Sequence, residues 1–215
     1  MLLSILDAYP HIHSIQRQTY AFAKWSENEP YIPPRIDRIY REFLLHKISP
    51  LATRWCEKTP RNIRHFDKIL NFFQGKVKLI HMIRDGRDVV TSKHPLHKPD
   101  EYWVSVKRWM NDVKAGLRLK DNPQVFTIKY EDLIFNFDGK IKDLSQFLEE
   151  DFIPTAQSWK LKTSVKKSKH WAQPVQDLHA RSIKRWQKPE HAKRMQEFRH
   201  TQGAQDLLKE LGYKV

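Results

Sequence analysis

The chain has 215 residues, of which 40% are hydrophobic, 12% aromatic and 30% charged. That balance excludes an intrinsically disordered chain and suits a single domain spanning 1–215. With 39 Lys and Arg against 25 Asp and Glu, the net charge is +14, which points to an anionic partner: a nucleotide, a sulfated or phosphorylated substrate, a nucleic acid or a membrane surface.

In chain order, Leu2, Leu3, Ile5 and Leu6 recur at helical spacing and Pro10 closes the segment. The same opening has no basic leader, is interrupted by Asp7 and is followed by no small-residue cleavage site, so it does not read as a signal peptide. No stretch approaches the ~20 apolar residues that span a bilayer. "RIDRIYREFLLHKI" places Ile36, Ile39, Tyr40, Phe43 and Leu44 on one helical face. Cys56 is the one cysteine, so no intrachain disulfide forms; this fits a reducing compartment and gives the expectation of a cytoplasmic protein. "PRNIRHFDKILNFF" predicts a second amphipathic helix, with Thr59 as N-cap and Pro60 at the first helical position.

"KVKLIHMI", Lys76 to Ile83, reads as a buried strand and "QVFTIKY", Gln124 to Tyr130, as another. Between them, a short helix is expected around Asp88 to Lys93. A long one follows, with Tyr102, Val106, Trp109, Met110, Val113 and Leu117 as its stripe. "GKIKDLSQFLEE" and Glu190 to Leu211 predict two more helices. Strands alternating with helices indicate an α/β layer fold with a parallel sheet. The segment from Trp159 to Ser182 has weak periodicity and five lysines between Lys160 and Lys169; it reads as a basic loop or a cover for a ligand.

The most telling stretch is "IRDGRDVVTSKHP". An apolar strand stops at Arg84, Gly86 permits a tight turn, and the next helix brings Ser92 round to the same side. Ligands of open α/β sheets sit beyond the carboxyl ends of strands, and an arginine fork with a hydroxyl suits a phosphate dianion. The alternative is that Arg84, Asp85, Arg87 and Asp88 pair among themselves. Lys58 precedes a helix start, where cation and dipole both favour an anion; a surface ion pair with Glu57 is its alternative. The histidines of "HIH" (His11–His13) and "HPLH" (His94–His97) lack supporting ligands at metal spacing.

This stretch resembles the 3′-phosphate-binding segment of sulfotransferases that use 3′-phosphoadenosine-5′-phosphosulfate. "EKTPRN" resembles the Lys-Thr-Pro segment of their bacterial and Golgi-like branch, and "KYEDLI" the Tyr-Glu-Asp-Leu at the end of the next strand. "RSIKRWQKP" resembles the late Ser-x-x-Arg-Trp element and "LLKELGY" the usual ending. Together these motifs cover about residues 2–213. The resemblance implies a P-loop-type three-layer α/β fold, helix-rich, around a parallel sheet. It implies Arg84 and Ser92 on the donor's 3′-phosphate, Ser182 and Arg185 near the same nucleotide, and Lys58 facing the sulfuryl group. Tyr130 is expected near the nucleotide or in the core. The implied partners are the nucleotide donor and a carbohydrate, peptide or small alcohol acceptor, with adenosine 3′,5′-bisphosphate as product and no metal.

Two departures stand out. The family opens with a strand and a Gly-Thr-Thr loop that cradles the 5′-phosphosulfate, then a helix like "LLxSILDAHP"; this sequence starts at that helix, so an amino-terminal truncation, with first strand and loop missing, is expected. Where relatives carry a glutamate in Pro-x-Glu-Thr, a general base, this chain has Gln18, an amide that accepts no proton at neutral pH; Glu27, Glu29 and His13 are the nearby substitutes. The competing classes are a non-catalytic nucleotide- or polyanion-binding basic protein, a nucleic-acid binder and a P-loop kinase. The last two lack their motifs in this sequence.

Overall fold

The computed structural model describes residues 2–15, 48–93, 101–152 and 180–215. Gln18, Glu27, Glu29, the helix expected from Arg35, His94, His97 and the lysine-rich stretch from Lys160 to Lys169 lie outside the described residues.

Helix α1 (Leu2–Leu6) buries Leu3, Ile5 and Leu6, as its spacing predicts. Strand β1 (Ile12–Ser14) then pairs in parallel with β2 (Arg54–Cys56), Ile12 opposite Arg54 and Ser14 opposite Cys56. Neither strand was anticipated, because three residues are too few to display a period. A 3₁₀ turn (Pro60–His65) runs into α2 (Phe66–Phe73), so the expected single helix starts as a tighter coil. Thr59 holds the N-cap position but makes no capping bond. Its hydroxyl donates to the Glu57 carboxylate, which also accepts from Asn62 Nδ2 at 2.7 Å.

Strand β3 (Leu79–Ile83) leads into α3 (Gly86–Val90), α4 (Val106–Leu117) and β4 (Val125–Lys129). β3 and β4 pair in parallel, Leu79 opposite Val125 and Ile83 opposite Lys129. Ser105 caps α4, its Oγ accepting from Arg108 N at 3.2 Å. Tyr102 precedes this helix and bridges antiparallel to Lys93, so it is not part of the helical stripe. Helices α5 (Tyr130–Phe135) and α6 (Phe137–Leu148) follow. After residue 179 come 3₁₀ turns at Ala180–Ser182, Arg185–Gln187 and Pro189–His191, then α7 (Ala192–His200) and α8 (Ala204–Glu210). The long terminal helix expected from the sequence is thus divided, the break passing through Gly203 at φ 78°.

Helices cover both faces of the β3–β4 pair. Ile80, Phe126 and Ile128 pack with Ile5 and Leu6 of α1, Leu133 of α5 and Ile141 and Leu144 of α6. Ile83 packs on the opposite side with Val90, Trp109, Met110, Phe198 and Leu207. Ile69 and Leu70 of α2 close the near end against Leu79 and Val125. This is the α/β/α layering of the expected fold, but among the described residues its parallel pairing occurs in two separate two-stranded sheets. β3 is also less enclosed than a central strand: Met82 is 36% exposed. Arg54 and Lys78 donate to the last carbonyls of α6, at Leu148 and Phe147, which ties both sheets to the negative end of that helix.

Two glycines mark close approaches. A Cβ on Gly86 would lie 2.4 Å from the Trp109 indole. Gly86 has no positive φ, so it is required by the indole above it rather than by the turn itself. A Cβ on Gly116 would lie 2.3 Å from the His81 ring, which is buried on β3. Burial pushes the pKa of His81 from 6.5 down to about 4.

Gly86→Ala is expected to cost about 1–3 kcal/mol, the scale of overpacking, read as a lower midpoint in urea unfolding. For His81, the unfolded chain takes up a proton below pH 6.5 while the folded imidazole stays neutral down to about 4. Stability is therefore lost as pH falls through that window, by up to about 3 kcal/mol. His81→Gln should flatten the decline between those limits; an unchanged slope in chemical denaturation would contradict the assignment.

Candidate functional site

The carboxyl ends of β3 and β4 meet at Ile83 and Lys129. The turn beyond β3 divides its charges between support and display. Asp85 caps α3, accepting from Arg87 N at 2.9 Å, and grips the Arg87 guanidinium at 3.0 and 2.8 Å. Arg87 also lies 4.1 Å over the Trp186 ring. From the first turn of α5, Glu131 accepts from Asp85 N at 3.0 Å and from the Tyr213 hydroxyl at 2.8 Å, clamping the turn to the final residues. Burial, then the Glu131 hydrogen bond and charge, raise the pKa of Tyr213, so its proton stays in this bond.

Arg84 is held by the Tyr130 ring and the Ala180–Ser182 turn rather than by Asp85. Its Cζ sits 4.7 Å over the Tyr130 ring, and Nη2 donates to the Ser182 carbonyl. The Tyr130 and Ser182 hydroxyls are 3.1 Å apart. At the end of α3, Ser92 Oγ donates to the Asp88 carbonyl at 3.0 Å and accepts from Arg185 Nη2 at 2.7 Å. The same Arg185 nitrogen donates to the Asp88 carbonyl at 3.0 Å. The Asp88 carboxylate is fully buried and 3.8 Å from Arg84 Nη2.

Arg84, Ser92, Ser182 and Arg185 are therefore brought together around Asp88, although Ser182 and Arg185 are remote in sequence from the other two. Both arginines keep a buried Nε without a hydrogen-bond partner. Burial first, then the Arg84 charge, lower the pKa of Arg185. Two guanidinium groups held close enough to repel, with unsatisfied donors and two hydroxyls beside them, concentrate positive charge and hydrogen-bond donors at one place. The expectation that the charged residues of the turn pair among themselves holds for Asp85 with Arg87, and only loosely for Arg84 with Asp88.

Lys58 stands apart. It follows β2, is exposed, and shares no hydrogen bond or ion pair with this cluster among the described residues. Partial desolvation lowers its pKa against the raising effect of Glu57. The dipole argument for Lys58 is weakened, because a 3₁₀ turn without a side-chain cap follows it. Cys56 packs beside the core, and burial pushes its thiol up to about 12, which removes it as a nucleophile. Among the described residues no group of three or more His, Cys, Asp or Glu is placed to hold a metal, and no helix is long and apolar enough to cross a membrane.

Three contributors escaped sequence reasoning. Sequence alone gives Asp88 no partner beyond the nearby arginines and gives Glu131 and Tyr213 no role. The signal was available for Glu131, as a carboxylate one residue past a strand end, level with a turn needing its N–H satisfied.

The core is α/β, and its cationic cluster lies beyond the ends of parallel strands, where ligands of such sheets bind. The chain matches the sulfotransferase family over residues 2–154, and it belongs to that family, an enzyme family of the transferase class that transfers sulfuryl groups. Ser182 and Arg185 lie beyond the matched stretch. No curated protein matches the chain.

Proposed function

We propose that the chain, acting as one domain, uses 3′-phosphoadenosine-5′-phosphosulfate as sulfuryl donor and a hydroxyl or amine as acceptor. In this reading Arg84, Ser92, Ser182 and Arg185 receive the donor's 3′-phosphate end. The observation that carries it is the convergence of Arg84 and Arg185, each with a buried, unpartnered Nε, Arg84 donating to the Ser182 carbonyl and Arg185 to the Ser92 hydroxyl. A dianionic ester satisfies both donors and relieves the repulsion between the two cations. Tyr130 supports Arg84 by stacking under its guanidinium.

In the transfer, the acceptor oxygen or nitrogen attacks sulfur in line with the leaving phosphate. The bond from sulfur to the bridging oxygen breaks, the acceptor proton passes to a base, and adenosine 3′,5′-bisphosphate leaves. Catalysis of this kind is positioning and charge neutralisation, as in phosphoryl transfer. Lys58 is assigned the charge that builds on the bridging oxygen, and its lowered pKa makes its ammonium a stronger acid toward that oxygen.

Arg84→Ala should weaken binding of adenosine 3′,5′-bisphosphate by about 1.5–3 kcal/mol, roughly tenfold to a hundredfold, in titration calorimetry. An unchanged affinity would remove the site. Lys58→Ala should reduce sulfuryl transfer from isotopically labelled donor at least tenfold while nucleotide affinity changes by less than about threefold. Nucleotide binding without any transfer by the unaltered chain would favour a non-catalytic binding protein.

A further inference from the structure

We infer that Asp88 is the positioning residue of this anion site: its buried carboxylate sets the backbone around Arg185, and its carbonyl sets the Arg185 and Ser92 side chains. The inference rests on the reading of Arg84, Ser92, Ser182 and Arg185 as the 3′-phosphate receptor.

Asp88 acts on Arg185 from two directions. Its Oδ2 accepts from Lys184 N at 2.9 Å and its Oδ1 from Trp186 N at 3.1 Å, the two residues flanking Arg185. Its main-chain carbonyl accepts from Arg185 Nη2 and from Ser92 Oγ, both at 3.0 Å. Lys184 adopts φ 60° and ψ 21°, a left-handed conformation that turns successive N–H groups toward one point. Such a concavity is an anion nest, and here the anion is a side chain of the protein. The arrangement fixes the Lys184–Trp186 turn to α3 across 96 and 98 residues of sequence.

The chemistry of the carboxylate is specific. Asparagine offers one acceptor oxygen and one NH₂, so one of the two backbone N–H groups would face another donor. Desolvation outweighs the bonds from Trp186 and Lys184 and the charge of Arg84, and raises the pKa of Asp88. An ionised carboxylate in this place is thus held at a cost to folding, as expected for a residue kept for the geometry it imposes.

The test compares adenosine 3′,5′-bisphosphate with adenosine 5′-monophosphate, which lacks only the 3′-phosphate, by calorimetry on the full chain. Asp88→Asn should lower affinity for the bisphosphate at least tenfold and leave the monophosphate within about twofold. If Asp88→Asn fails to fold, exposed Lys184 offers a second route, because its side chain lies outside the core. Lys184→Val places a β-branched residue at a positive φ it rejects, and should abolish the preference for the bisphosphate. Lys184→Gly removes the same lysine charge but accepts that φ, and should keep the preference. Folded Asp88→Asn with the preference intact, equal loss for both nucleotides, or equal behaviour of the valine and glycine variants would each overturn the positioning role. An unaltered chain showing no preference for the bisphosphate would instead overturn the 3′-phosphate reading beneath it.

Discussion

A carboxylate with no exposed surface holds this site together. Asp88 takes two backbone N–H groups from the Lys184–Trp186 turn and presents its own carbonyl to Arg185 and Ser92. In a low-dielectric surround each such bond is electrostatically stronger than in water, and leaving one unmade is correspondingly costly. The cluster therefore acts as a unit. The end of β3, the start of α3 and a turn from the last third of the chain cannot move independently without stranding a buried charge.

The charges of the Arg84-Asp85-Gly86-Arg87-Asp88 turn illustrate how few members of a charged motif face a ligand. Asp85 and Arg87 are spent on each other and on Trp186, Asp88 on the distant turn, and Gly86 on the space beneath Trp109. Arg84 stacks on Tyr130, donates to the Ser182 carbonyl and keeps its Nε without a partner. The large net positive charge of the chain says nothing of this division. It supplies a long-range field, whereas the local chemistry is set by the two buried arginine Nε groups that have no partner.

Long periodic elements were legible from sequence alone. The stripe Val106, Trp109, Met110, Val113 shows helical spacing and is buried in the structure, and the two five-residue strands fall where apolar runs predicted them. The short pieces were not. β1 and β2 have three residues each, and the 3₁₀ turns near Arg185 carry no hydrophobic period to read. Arg84, Ser92, Ser182 and Arg185 were nominated through motifs, and their meeting place became visible only in three dimensions. Asp88 was hidden for a physical reason: its partners are main-chain N–H groups far along the chain, and backbone donors leave no trace in residue identity. Thr59 shows the converse. Its identity suits a helix cap, yet its hydroxyl donates to the nearby Glu57 carboxylate and its oxygen accepts no backbone N–H of the turn that follows.

The contact between Gly86 and the Trp109 indole constrains the history open to this chain. Since the ring occupies the room that a side chain at position 86 needs, a larger residue there is less costly after the side chain at 109 has become smaller than before. The order in which two such changes are made, not only their sum, therefore decides how stable each intermediate form of this turn is.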